Sequence, residues 1–473
     1  MDLLGAGDGT VSSLTARALY RSLFAIALNV MVVGCAHPKQ ANTDNVVELR
    51  VFDRITTTMG AEYSQWLVAS FNSQNRGKIH VTWSGSDDEM FKPKVNVVLR
   101  GPSAPDIFFT WEGGWAKYMV DSGYAESLDR YYEKYGWDRE LNRAGTSLAW
   151  VGSHRYFVPT KMAASIVWYE PDIFKRYGLS VPRSWSEMLD AARQLKAAGI
   201  IPFLMANQKR WPAQFMWSAL FVNKHGLDAY NRLLARKIPW TDPMVVDIFA
   251  LMKSLSDEGL FEREPNALDV TPAATLFASG QTGMWYQGSF LLTRFMDDKG
   301  RPLFPFDFFE FPQVDAEPPT VSVFVEDGLM LNRHSHHLDE AAAFVDWVLS
   351  REAQKKQLEF GLPFPANINV DLEKFPAVPQ ELGRLIAAHS TRTFMHIDHA
   401  LSPAISNPFL DFLQAVLVGA MSPQEAAKQT EEVAEGVEGQ RRYRAGIEPA
   451  EVGILVKVVR SVAPEETILF PRP

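Results

Sequence analysis

Strand-like and helix-like segments alternate near the start of the chain, and this order constrains the fold more than any other feature of the sequence. Residues 47–52 alternate apolar and polar side chains and are rich in β-branched residues, which predicts a strand. Further strands are predicted at 78–83 and 104–110. Apolar spacing predicts helices over 61–75 and 91–99, one in each gap. This order predicts a parallel sheet covered by helices.

A second α/β segment follows the first. Residues 166–169 predict a strand. Ser184 and Glu187 form a capping box ahead of an amphipathic helix that Gly199 would close. Residues 338–349 predict another amphipathic helix. Because 473 residues exceed what one hydrophobic core usually serves, we expect two domains.

The single cysteine, Cys35, stands at the end of an apolar run. Arg17 and Arg21 precede this run, which covers 23–33 and is shorter than the roughly 20 apolar residues that a transmembrane helix needs. A basic start, a short apolar stretch and a small residue before the break are typical of a secretory signal. One cysteine also excludes an internal disulfide framework and a cysteine-based zinc site.

The four residues Val32-Val33-Gly34-Cys35 resemble a bacterial lipobox. We therefore predict a lipoprotein signal peptide over 1–34, lipidation of Cys35, and a polar tether over 35–46. The protein would then be held at the membrane surface, in the periplasm or on the cell surface. The alternative is a signal peptide whose cysteine is incidental.

Charge and motifs exclude several classes of function. The net charge of −9 argues against nucleic-acid binding, which needs a basic face. The sequence contains no Walker A loop, no HExxH and no GxSxG motif. Its histidines show no metal-ligand spacing, so we expect no metal and no cofactor.

Six segments carry a recognisable pattern when they are taken in order, namely 103–111, 168–174, 177–185, 195–202, 277–284 and 341–354. Together they resemble the extracellular sugar-binding proteins of bacterial ABC importers, the group that contains maltose- and glucose-binding proteins. The resemblance runs from Val47 to about Glu435, although Glu170 replaces the Asn that is usual in the family.

The resemblance implies an α/β, two-lobe periplasmic-binding-protein fold of type II, with the ligand cleft between the lobes. Lobe 1 would comprise 47–157 and 322–379, and lobe 2 would comprise 158–321 and 380–439. Residues 440–473 would be an extension of unknown role. The resemblance also implies a monomer that closes on a small sugar and delivers it to permease subunits, with the ATPase on a separate chain.

A sugar presents apolar CH faces and a rim of hydroxyls, so its site needs aromatic planes and carboxylates or amides. Trp111 and Glu112 follow the third predicted strand, where ligands of open α/β sheets bind. Trp211 stands in a polar loop, where a large aromatic side chain is unexpected without a partner. We therefore expect both tryptophans to contact the ligand and Glu112 to accept hydroxyl hydrogen bonds. The alternatives are a core Trp111, a solvated helix cap at Glu112 and surface packing of Trp211.

Acidic and amide residues complete the predicted site. Asp53 ends the first predicted strand, and Asp87 follows the second. Asp327 resembles the family's acidic residue that faces the cleft, and Glu326 precedes it; the alternative for Asp327 is a turn residue before a glycine. Gln287 belongs to the segment 287–290, which corresponds to a stretch where the family commonly has a tryptophan.

Other residues have weaker signals. His396 and His399 are possible cleft residues, whereas the spacing of Trp217 favours a place in the core. Phe290 departs from the tryptophan that is common in the family, which makes stacking there less expected.

Two other classes of protein would also be exported and rich in aromatic residues, as this sequence is. A secreted glycoside hydrolase would need two carboxyls about 5–10 Å apart, and Glu112, Glu310 and Glu326 are candidates. A sugar-sensing receptor subunit would use the same pocket without transport. The resemblance favours the binding protein over the hydrolase.

Overall fold

The computed structural model describes residues 46–297, 300–315, 319–362, 364–373 and 375–444. The predicted signal peptide, Cys35 and almost all of the predicted tether lie outside these residues.

The strands of the described residues are β1 (Val47–Arg54), β2 (Ile79–Ser86), β3 (Ile107–Thr110), β4 (Trp150–Val151), β5 (His154–Arg155), β6 (Val158–Tyr169), β7 (Ile201–Phe203), β8 (Thr282–Gly288), β9 (Asp307–Phe309), β10 (Val323–Leu331) and β11 (Phe364–Pro365).

The helices are α1 (Thr58–Gln74), α2 (Asp88–Arg100), α3 (Gly113–Asp121), α4 (Asp129–Tyr135), α5 (Trp137–Glu140), α6 (Arg143–Leu148), α7 (Pro171–Arg176), α8 (Trp185–Ala197), α9 (Trp211–His225), α10 (Leu227–Leu234), α11 (Pro243–Asp257), α12 (Val270–Ala278), α13 (Leu292–Phe295), α14 (Leu338–Leu349), α15 (Arg351–Glu359), α16 (Ala377–Ala388), α17 (Ile397–Ala400), α18 (Pro403–Leu417) and α19 (Pro423–Arg444). None of these helices is both long and apolar enough to cross a membrane.

One mixed sheet runs through the molecule in the order β2-β1-β3-β10-β6-β8-β7, and β9 and β11 pair with β6. β1 is parallel to both β2 and β3, which confirms the parallel arrangement predicted for the first segment. The long strands β6 and β10 are antiparallel to their neighbours and continue the sheet toward the parallel pair β7 and β8.

Two apolar cores share strand β6. Its successive side chains point to opposite faces, as the period of two in a strand requires. The first core takes Met162, Ala164, Ile166 and Trp168, and the second core takes Ala163, Val167 and Tyr169.

Local signals at helix ends are confirmed. The Ser184 hydroxyl accepts a hydrogen bond from the Glu187 N–H at 3.2 Å at the start of α8, and Gly199 has a φ of +78° just after it. Helix α2 forms over the predicted segment in spite of Pro93. Trp217 is fully buried in the second core, as its spacing indicated.

Candidate functional site

A cavity of about 800 Å³ opens beside the carboxyl ends of β1 and β3. This volume is within the range of small-molecule sites. Phe52 of β1 lies opposite Phe108 of β3 in the parallel register, so the two strands end side by side. Of the residues predicted to bind ligand, those that line the cavity are Trp111, Trp211, Asp53, Asp87, Glu326 and Asp327.

Glu326 and Asp327 line the same cavity from a bulge in strand β10. β10 runs antiparallel to β3 with Gly328 opposite Thr110, and its pairing with β6 shifts register on both sides of Asp327. Such bulges are common beside functional sites because they redirect side chains. Asp327 therefore lies at a bulge in the cavity wall, and its contact with a ligand stays a prediction.

Trp111 both lines the cavity and packs on the first core. Its ring makes edge contacts with Phe91, Phe109 and Trp115 at centroid distances of 5.9, 4.6 and 5.5 Å. The ammonium of Lys92 lies 5.4 Å from the ring centroid. These contacts hold the indole in one orientation, so it can act as a rigid wall.

Trp211 begins helix α9 and packs against both cores. Its ring lies 5.3 Å from that of Phe215 and 5.9 Å from that of Phe290. Phe290, at the position where the family often has tryptophan, also lines the cavity.

The loop before α9 is held in an uncommon backbone conformation. Ala206 and Arg210 have φ values of 53° and 68°, which side-chain-bearing residues rarely adopt. The buried Glu262 carboxylate accepts hydrogen bonds from the Met205 and Ala206 N–H groups at 2.8 and 2.7 Å. This carboxylate therefore fixes the loop that presents Trp211.

A network of buried charges forms the floor of the cavity. Arg54 donates to Glu326 at 2.6 Å and also to Asp327, and Lys161 donates to the other oxygen of Asp327. Burial opposes ionisation of Asp327, but Arg54 and Lys161 lower its pKa below the usual value. Burial and the charge of Asp327 raise the pKa of Asp53 to about 7. Both oxygens of Asp327 are thus occupied by protein donors.

Two predicted ligand-binding residues do not line the cavity. Glu112 is wholly buried, and its side chain makes no capping bond to α3, so it is not a solvated helix cap. Gln287 is wholly buried in β8, where its amide oxygen accepts from the Gly288 N–H at 2.9 Å. Glu112 was predicted from its place after a strand and Gln287 from its position in the family, and neither signal indicates which way the side chain turns.

Charged residues that sequence reasoning missed or ranked low also line the cavity, namely Arg54, Lys161 and His399. Burial disfavours the charge on His399, but Glu112 and Asp398 raise its pKa to about 9. His396, beside it, stacks on Phe215 at 3.8 Å, and burial lowers its pKa well below the usual value. A basic residue in a strand carries no distinctive sequence signal, because most such residues face solvent.

Of the three carboxylates that a hydrolase would use, only Glu326 lines the cavity. Glu326 forms an ion pair with Arg54, Glu112 is wholly buried and pairs with His399, and the exposed Glu310 contacts His389 at 3.4 Å. The described residues also contain no group of His, Cys, Asp and Glu that could hold a metal ion.

Comparison with known proteins decides the family. The family model described as bacterial extracellular solute-binding protein matches residues 56–355. The chain belongs to the bacterial extracellular solute-binding protein family. Membership indicates an extracytoplasmic binding protein that serves an ABC transporter.

Relatives of this solute-binding protein cover most of its length. An uncharacterised ABC transporter extracellular-binding protein of Pyrococcus horikoshii is 20% identical over 428 residues, which are 86% of this chain and 93% of the relative. The multiple sugar-binding protein of Streptococcus mutans is 23% identical over 305 residues, covering 61% of this chain and 68% of the relative.

Solved structures share the fold. The bacterial solute receptor AcbH, described as having a preference for β-D-galactopyranose, superposes with a TM-score of 0.75 at 20% identity, covering 83% of this chain and 99% of the receptor. A chitin oligosaccharide binding protein superposes with a TM-score of 0.74 at 19% identity, covering 83% and 99%. These matches confirm the predicted two-lobe α/β fold.

Proposed function

We propose that this solute-binding protein captures a small sugar in the cavity between Trp111 and Trp211 and delivers it to the permease of an ABC importer. The observation that carries the proposal is the pairing of two rigid indole walls with a floor of carboxylates and cations in one cavity. Indole faces complement the CH faces of a sugar, and charged side chains form strong hydrogen bonds to its hydroxyls.

The comparisons support this choice of ligand. The relatives and solved structures include a multiple sugar-binding protein, a receptor for galactopyranose and a chitin oligosaccharide binding protein. The cavity volume of about 800 Å³ has room for one or a few sugar rings.

The remaining predictions belong to the same proposal. Export by a signal peptide over 1–34 and lipidation of Cys35 would hold the monomeric protein at the membrane beside its permease. The two lobes, with the boundaries predicted above, would close about the strands β6 and β10 that both cores share. Closure is driven only by contacts that the sugar makes better in the closed form.

The test is a titration of the purified protein with sugars, guided by a thermal-shift screen of galactose, raffinose and chitin oligosaccharides. We expect Trp211→Ala to weaken binding of the best sugar by about 10- to 100-fold, because a stacked indole contributes on the order of 1–3 kcal/mol. Trp150→Ala is the matched control, because Trp150 is exposed and does not line the cavity. No binding of any sugar by wild type, or equal affinity of Trp211→Ala and wild type, would contradict the proposal.

A further inference from the structure

The backbone at the start of helix α3 packs directly against the backbone at the end of helix α17. A Cβ atom on Gly113 would lie 2.4 Å from the carbonyl oxygen of His399, and one on Gly114 would lie 2.2 Å from the carbonyl carbon of Leu401. Real Cβ contacts are essentially never this short, so only glycine fits at either position. The close approach sets the distance between the residues beside it.

An ion pair adjoins this glycine contact. Glu112 precedes Gly113, and its Oε1 accepts a hydrogen bond from Nδ1 of His399 at 2.9 Å. Trp115 of α3 belongs to the first core, whereas Leu401, just after α17, belongs to the second. The pair therefore joins the two cores at the cavity wall.

The buried carboxylate keeps the imidazole charged. Glu112 is completely buried, and its Oε2 has no hydrogen-bond partner among the described residues. Loss of the positive charge would leave a buried carboxylate without compensation, which is costly. The groups facing His399 are Glu112 after β3, Asp398 on its own helix, Glu326 on β10, and His396, which caps α17.

With Nδ1 engaged, Nε2–H is the remaining donor of the His399 ring. The Asp398 oxygen lies 3.9 Å from Nε2, too far for a hydrogen bond. His399 lines the cavity, with its ring 6.4 Å from that of Trp111 and 5.7 Å from that of Phe324. Arg54 and Lys161 already donate to carboxylates, so the imidazolium is a donor that a ligand can use.

We propose that His399 is a further ligand-contacting residue, which donates from Nε2 to an oxygen of the bound sugar, and that Glu112 is its positioning residue. This inference rests on the proposed sugar-binding function. It assigns Glu112 a different role from the direct hydroxyl acceptor that the sequence predicted.

The protonation of His399 supplies a readout that a merely structural role would not change. Above a pH of about 9 the ring becomes neutral. The hydrogen bond to Glu112 keeps a proton on Nδ1 of His399. The proton lost above this pH is therefore the one on Nε2, which can then no longer donate a hydrogen bond. Glu112→Gln removes the charge that favours the imidazolium, so the loss of donation should move to lower pH.

The experiment measures the dissociation constant of the best sugar by calorimetry from pH 6 to 10 for wild type, Glu112→Gln and His399→Gln. We expect wild-type affinity to fall as the pH rises through about 9. In Glu112→Gln the fall should begin at least one pH unit lower, and His399→Gln should bind roughly tenfold more weakly at pH 7 without this pH dependence. His389→Gln is the control, because His389 contacts Glu310 and does not line the cavity.

If His399→Gln does not fold because Glu112 is left unpaired, the double variant Glu112→Gln/His399→Gln is measured instead, since it removes both charges. Wild-type affinity in the His399 variant that folds, or an unchanged pH profile in Glu112→Gln, would overturn the inference. If wild type binds sugar and Trp211→Ala does not, while the His399 variant binds normally, this inference fails and the proposed function stands. If wild type binds no sugar, the proposed function itself fails.

Discussion

The substitution Asp327→Asn tests whether the carboxylate of Asp327 is needed to compensate the buried charges of Arg54 and Lys161. Asp327 is 3% exposed, and its two oxygens accept from Arg54 and Lys161. The asparagine has nearly the same shape but no charge, so it removes the compensation and leaves the packing in place. Arg54 keeps its bond to Glu326 at 2.6 Å, whereas Lys161 then depends on the charge of Asp53.

The expected loss of stability is large. Arg54 keeps Glu326, so the loss falls on Lys161, whose hydrogen-bonded carboxylate is removed; breaking a buried ion pair in this way costs about 3–5 kcal/mol. The side chains of Arg54 and Lys161 are only 10% and 15% exposed, so water can compensate little. A loss of this size is a substantial part of the roughly 5–15 kcal/mol by which proteins are stable.

The assay is urea unfolding followed by tryptophan fluorescence, with midpoint and slope fitted for wild type and variant. Asp411→Asn is the matched control, since Asp411 pairs with Arg210 at 2.8 Å but is 56% exposed, and we expect a loss below about 1 kcal/mol. If Asp327→Asn costs no more than Asp411→Asn, the carboxylate is not needed to hold the two cations, and the reasoning is refuted.

Three further predictions concern packing, backbone and pH. Trp217→Ala should lower the free energy of unfolding by about 3–5 kcal/mol, because Trp217 is fully buried; a thermal melt showing no change would contradict this. Gly113→Ala should destabilise the protein more than Gly123→Ala in urea titrations, because both have positive φ but only Gly113 faces backbone within 3 Å; equal losses would show that α17 can move away. The raised pKa of Asp53 makes the folded state bind its proton more tightly than the unfolded state, so this contribution is full below about pH 4 and is lost as the pH rises through about 7. Asp53→Asn should therefore remove part of the decline in stability between these values, and parallel pH–stability curves for variant and wild type would contradict this.

Much of the fold could be predicted because its signals are local. The alternation in β1, the capping box at Ser184 and the buried run of β3 depend on residues that are neighbours in the chain. Placing Asp53 and Trp111 at one cavity also followed from a local fact, since parallel strands end at the same edge of a sheet.

Predictions about individual side chains were less complete. Glu112 follows a strand end as expected, and Gln287 was predicted from its position in the family, yet the structure buries both and keeps them out of the cavity lining. A strand end specifies where a residue lies to within a few ångströms, but the turn that follows decides the direction of its side chain.

The sequence by itself determined the alternation of strands and helices in the first segment, the helix faces that become core, and the edge of the sheet where the cavity opens. The first two depend on periodicity over a few residues, and the third on the shared edge at which parallel strands end. Only the tertiary structure decided which charges meet. Glu112 pairs with His399, which is 287 residues away in the sequence, and Lys161 pairs with Asp327, which is 166 residues away. Coulomb attraction between side chains acts over a few ångströms of space regardless of their separation in sequence, so no local pattern can reveal such partners.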